Sequence, residues 1–148
     1  MINANIVKKA NIATNVSQRL FNMANISRER GNRIQAMLGY KMALIVKPDF
    51  SKALIHVGNL YYEQKKYEKA INFFTRAKNT SEYVSAALEA IGDAQFMKGD
   101  YAAAVSNYES VLPFTGSQAI WVRIMNACEK GNFKEKADAA QLVLNVYQ

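Results

Sequence analysis

Apolar and polar residues alternate along this chain with the period of a helix, and the helical stretches themselves recur. Leu54, Val57, Gly58 and Tyr61 stand at i, i+3, i+4 and i+7, one face of an α-helix. Ala70, Phe74 and Ala77 make a second such face, and the polar run EQKKY between the two reads as a turn. The stretch GNLYYEQKKYEKAINFFTRA, Gly58 to Ala77, returns from Gly92 to Val111 as GDAQFMKGDYAAAVSNYESV. At the same offset it is preceded, from Ala24 to Ala43, by ANISRERGNRIQAMLGYKMA. Three sets of columns align: Ala24, Gly58 and Gly92; Ala36, Ala70 and Ala104; Tyr40, Phe74 and Tyr108. Leu20, Leu54 and Leu88 lie four positions ahead of the first column. Each copy is helix A, a short turn, then helix B.

The small residues carry the packing expectation. A glycine inside a helix costs about 1 kcal/mol relative to alanine, so its return at one phase implies close helix contact. Gly58 and Gly92 are expected to face Ala70 and Ala104, with the aromatic column filling the gap toward the next copy. One hairpin cannot bury both its faces; a stack of them can, which is a solenoid.

The pattern resembles the tetratricopeptide repeat, a helix–turn–helix unit of the same period. Its leucine–glycine pair becomes Val57-Gly58 and Ile91-Gly92, its following aromatic is kept at Tyr61, and Pro48 sits where its closing proline belongs. The leading aromatic is replaced by Leu20, Leu54 and Leu88; Ser27 and Gln95 replace the second aromatic. The resemblance covers residues 17–118 as three full repeats. Beyond them the phase slips: Phe133 follows Tyr101 two positions early, and Ala137 follows Ala104 one position early. It implies an all-α, right-handed solenoid of about nine helices in one domain, 1–148. Residues 2–13 form an extra helix ahead of repeats at 17–50, 51–84 and 85–118, with a shortened repeat at 119–148. Asp49, Ser51, Ser81 and Ser117 are candidate helix N-caps.

Charge adds a direction to this array. The net charge is +7, and residues 1–50 hold eight Lys and Arg against Glu29 and Asp49. Residues 85–118 carry one lysine against four carboxylates. The basic end reads either as a solvated surface or as a face for an acidic partner, steered by long-range attraction. No helix clusters Arg and Lys closely and no RNA-binding signature is present, which argues against nucleic acid.

Catalytic chemistry finds no footing. His56 and Cys128 are the single histidine and cysteine, so no triad, cysteine zinc site or disulfide framework can be built. No phosphate-binding glycine motif occurs, and neither a cofactor nor a metal is implied. No apolar run reaches the length of a bilayer crossing, and the first residues lack a secretory core, although two lysines and no acid leave a mitochondrial presequence conceivable. A reducing, cytoplasmic setting is the expectation. The Asn-x-Ser/Thr matches at Asn15, Asn25 and Asn79 are then chance.

In tetratricopeptide arrays the A helices line a concave groove that takes a peptide or a partner helix. By phase, the resemblance implies that Phe21, Asn22, Asn25, Lys52, His56, Asn59, Tyr62, Asp93 and Phe96 line it here. A subfamily clamps acidic chaperone tails with lysine, asparagine and arginine columns. Asn25 and Asn59 keep the asparagine column, but Phe21, Ile55, Ala86 and Ala90 occupy the basic ones, so that clamp is not expected. Leu142, Leu144, Val146 and Tyr147 in the last helix suggest self-association, or a continuing array. The resulting expectation is a non-enzymatic scaffold. The alternatives are a secretion-type chaperone for an export substrate and a subunit of a larger assembly, such as an intraflagellar-transport scaffold.

Overall fold

The computed structural model describes residues 3–80 and 82–147. Eight helices form among them: α1 (Ala4–Glu29), α2 (Arg33–Val46), α3 (Ser51–Glu63), α4 (Tyr67–Lys78), α5 (Val84–Lys98), α6 (Tyr101–Val111), α7 (Gln118–Lys130) and α8 (Lys134–Val146). Among the described residues the heaviest packing joins consecutive helices, from α1 on α2 through to α7 on α8. The result is a one-dimensional stack of helical hairpins, a solenoid.

The turn inside each hairpin explains the spacing. Gly31, Lys65, Gly99 and Asn132 all adopt left-handed backbone, with φ of 78°, 58°, 84° and 59°. The first three are equally spaced and Asn132 comes one position early, so the phase slip lies in the last hairpin. A left-handed residue reverses the chain after helix A and lets carbonyls of the last turn be capped. Glycine or asparagine does this with little strain; Lys65 holds the same geometry at a cost of about 1–2 kcal/mol. Helix B then starts at once, with Asn32 and Asp100 accepting from the backbone N–H groups of Gln35 and Ala103 at 3.1 and 3.3 Å.

Several expectations need correction. Residues 4–13 are not a helix of their own but the first half of α1, a continuous 26-residue helix. No turn residue interrupts ANIVKKANIATNVSQ, so nothing stops the helix from running through. Its buried residues, Ser17, Phe21 and Ala24, all lie in the second half, and Asn3 caps its start by accepting from Asn5 N–H. Asp49 and Ser51 do not cap α3, because the helix begins after Phe50 and Ser51 is already in its first turn. Ser117 stands at the N-cap of α7 without a side-chain hydrogen bond, and Ser81 lies outside the described residues.

The glycines do make room, but for a ring. A Cβ on Gly58 would sit 2.6 Å from Cδ1 of Phe74, and one on Gly92 would sit 2.5 Å from Cε1 of Tyr108. The aromatic column therefore lies on the bare backbone of helix A within its own hairpin. The step of one turn from Ala70 to Phe74 carries the close approach further along helix B. Ala36, Ala70 and Ala104 are completely buried beside it. In copy one Ala24 replaces the glycine, and Gly39 supplies the missing space: its Cβ would meet that of Ala24 at 2.8 Å.

Gly58→Ala is expected to lower stability by about 1–3 kcal/mol through overpacking, although alanine is the better helix former. Denaturant titration measures this, and pairing the change with Phe74→Leu should recover most of the loss.

Candidate functional site

The A helices present the columns that the sequence assigns to a binding groove, and their side chains separate into two groups. In the first, Phe21 from α1, Tyr40 from α2, Phe50 from the N-cap of α3 and His56 from α3 pack ring against ring. His56 stacks on Tyr40 with centroids 5.0 Å apart and meets Phe21 at 5.2 Å, edge to face. Phe21 also packs on Phe50 at 5.3 Å. Phe21 is thus buried core, not groove wall. A large ring one turn ahead of Asn25 is drawn into the gap between hairpins, where Tyr40 and His56 cover it.

His56 belongs to the same seam. Its Nδ1 is buried and has no hydrogen-bond partner among the described residues. Burial, reinforced by the nearby Arg28 cation, holds its pKa below the ordinary 6.5. The ring is neutral at physiological pH and joins two copies by stacking.

The asparagine column behaves differently in each copy. The Tyr40 hydroxyl donates to Asn25 Oδ1 at 2.6 Å, and the Tyr108 hydroxyl donates to Asp93 Oδ1 at 2.8 Å. Both pairs have the same separation along the chain. In copy two that separation joins Asn59 to Phe74, which has no hydroxyl. Half-buried Asn59 therefore has its amide free of this tie.

The second group surrounds Asp93. Arg123 on α7 reaches back to α5, donating to Asp93 Oδ1 and pairing with Glu89 at 3.0 Å. The Asp93 carboxylate strengthens Arg123's hold on its proton, and burial with the Asp93 charge pushes the Tyr108 hydroxyl above its usual range. Asp93 is accordingly bound within the protein, tying copy three to the helix after it. Sequence reasoning missed Arg123 as its partner, yet a signal was available: Arg123 stands one full repeat after Glu89, in the same column of the next copy.

The other candidate residues sit as follows. Lys52 is exposed; Asn22 is exposed and accepts from the Gln18 side chain at 2.9 Å. Tyr62 and Phe96 are half-buried and meet Tyr67 and Tyr101 edge to face at 5.5 and 5.3 Å. In α8, Leu142, Val146 and Tyr147 are exposed, whereas Leu144 is buried. Leu144 follows Ala140 by one turn and shares its inward face, so it is not available for self-association. A hollow between α6 and α8, lined by Ala102, Val105, Phe133 and Lys136, lies apart from these groups. Among the described residues no cluster of three His, Cys, Asp or Glu can hold a metal, and no helix is long and apolar enough to cross a membrane.

No family model matches the chain, and no curated protein matches it. Solved structures do. The N-terminal domain of stress-induced protein-1 from C. elegans superposes with a TM-score of 0.71 at 16% identity, covering 78% of this chain and 96% of that one. The first TPR of Spaghetti (RPAP3), bound to the HSP90 peptide SRMEEVD, gives 0.70 at 17% identity over 78% and 95%. The Sgt2 TPR domain from Aspergillus fumigatus gives 0.69 at 24% identity over 81% and 82%. The fold of this chain is that of tetratricopeptide-repeat domains.

Two outcomes test this site. Phe74→Tyr should place a hydroxyl against Asn59, as in the neighbouring copies, and raise stability by about 0.5–1.5 kcal/mol. For His56, the unfolded chain takes up a proton first, so the stability held by the neutral ring is complete above about pH 6.5 and drains below it. The melting temperature should therefore fall more between pH 7.5 and 5.5 than it does for His56→Phe, which keeps the stacking.

Proposed function

We propose that this chain is a non-enzymatic interaction module that holds an extended peptide or a helix of a partner protein against its A-helix columns. The observation that carries the reading is Asn59. Its two flanking copies commit the equivalent oxygen to a tyrosine hydroxyl, while Asn59 keeps both its donor and acceptor for a ligand backbone. Exposed Lys52 and half-buried Tyr62 lie about two turns and one turn from it along the same helix. They supply a charge and an aromatic surface of the kind that anchors peptides. The fold shared with peptide-binding domains supports the same reading. The single cysteine, Cys128, is buried, which accords with a cytoplasmic setting.

The peptide bound by the RPAP3 domain is acidic, but the columns that would clamp such a tail here hold Phe21, Ile55, Ala86 and Ala90. A chaperone-tail ligand is therefore not the proposal. The excess of cations in residues 1–50 still favours an acidic partner through steering. A secretion-type chaperone would use the same wall for an unfolded export substrate.

A second reading, a subunit of a larger assembly, has its own support. Met23 and Ile26 of α1 are 64% and 47% exposed, whereas their column mates Val57, Leu60, Ile91 and Ala94, each with a hairpin ahead of it, are all buried. With Leu142 and Val146 exposed on α8, both ends of the stack show apolar surface that end-to-end association would cover.

Capture from a host extract, with Asn59→Ala and Tyr62→Ala introduced together, tests the groove. Loss of most partner signal from a variant that melts normally is expected; undiminished capture would move the site elsewhere. Light scattering on the same sample separates a single copy from an end-to-end stack.

A further inference from the structure

Helix α2 is apolar on two opposite sides, and only one of them is covered. Ala36, Tyr40, Ala43 and Leu44 form its buried face against the core. On the other side Ile34, Leu38, Met42 and Ile45 are 84%, 59%, 44% and 80% exposed. At about 100° per residue these four fall within roughly 80° of arc and run for about 16 Å along the helix. Within α2 only Arg33, Gln35 and Lys41 carry a charge or an amide. A helix apolar all round is normally buried all round.

The repeat itself shows that the fold does not require this stripe. The same four columns in α4 and just past it are Glu68, Asn72, Arg76 and Asn79, and in copy three they are Ala102, Ser106, Ser110 and Pro113. All eight are exposed. Where the architecture turns these positions to solvent, the later copies use polar or small residues, and copy one alone uses four large aliphatic ones. They are therefore not left over from hairpin stacking.

The surroundings indicate what covers them. From Ala4 to Val46 seven lysines and arginines stand against a single acid, Glu29, and α2 has no acid at all. Arg30 lies at one end of the stripe beside Arg33, which pairs with Glu63 of α3 at 3.6 Å; Lys41 runs along its edge, donating to the Tyr61 hydroxyl at 2.9 Å, and Lys47 lies just past the other end. We propose that this face docks an acidic amphipathic helix of a partner protein, its apolar ridge on Ile34, Leu38, Met42 and Ile45 and its carboxylates over the basic rim. Ridges of one helix seat between those of another at this length scale. A second copy of the same face would set cations against cations. An anionic lipid surface is wide, and the equivalent columns of the next copy would bring Glu68 against it. A partner helix needs only α2 and its rim.

The face belongs to helix B columns and does not depend on the groove reading, so the two can fail separately. The probe is a synthetic amphipathic peptide with leucines at i, i+4, i+7 and i+11 flanked by glutamates, beside a twin with lysines replacing the glutamates. At low salt the glutamate peptide should bind at least about tenfold more tightly than its twin, the difference shrinking as salt screens the rim. Ile34→Gln with Ile45→Gln should weaken it about tenfold or more while the melting temperature holds. Should that pair destabilise the fold, Leu38→Lys alone makes the same test. Arg30→Glu should weaken the low-salt binding, and Asn59→Ala with Tyr62→Ala should leave it unchanged. Equal binding of the two peptides, no binding, or no response to the stripe variants would overturn the proposal. So would binding only to phosphatidylserine vesicles, or a dimer that the stripe variants dissolve.

Discussion

An aromatic ring resting on a helix backbone that has no side chain is the contact on which this molecule depends. Phe74 over Gly58 and Tyr108 over Gly92 place a ring in the space that a Cβ on helix A would occupy. Buried alanines beside the ring allow the backbones to run close, and the ring fills the space they leave. Copy one reaches the same end by another route, with the glycine moved to the facing helix at Gly39. The contact demands a ring and a gap, not a fixed residue in each column.

The polar positions follow from where that ring ends. A tyrosine in the column carries its hydroxyl to the edge of helix A, where it ties down Asn25 or Asp93. A phenylalanine stops short and leaves Asn59 untied. Core packing and the polar chemistry of the A-helix columns are therefore coupled through one atom. Further along, Asp93 also accepts from Arg123, so the third copy is joined to α7 by charge where the first is joined to the second by stacked rings on His56. The neutrality of His56 and the firm protonation of Tyr108 and Arg123 are consequences of those different joints.

The hairpin order and the register were legible in the sequence because packing recurs at one fixed interval and small residues are conspicuous against it. The turn between helices was legible in EQKKY, but nothing at Lys65 announced the left-handed backbone that it shares with Gly31 and Gly99. The single long α1 was not anticipated, because a repeat register invites a break before residue 17 that no local signal supplies. Phase alone assigned Phe21 to the groove, and the apolar character of the last helix alone put Leu144 among the residues for self-association. A helix face turns by about 100° from one position to the next, so a single step decides between buried and exposed, and both were found inside. Ion pairs between copies escaped because they join side chains of adjacent repeats, as Arg123 and Glu89 do, rather than neighbours in the chain.

Packing that is heaviest between consecutive helices, with side-chain ties reaching only to the helix after next, has a mechanical meaning. With no contact spanning the stack, a pull along its axis loads each joint in turn, and the weakest yields while the others hold. Stretched from its ends, such an array lengthens as a spring does, hairpin by hairpin, and each released hairpin retains its local turn and can wind back without waiting for the rest.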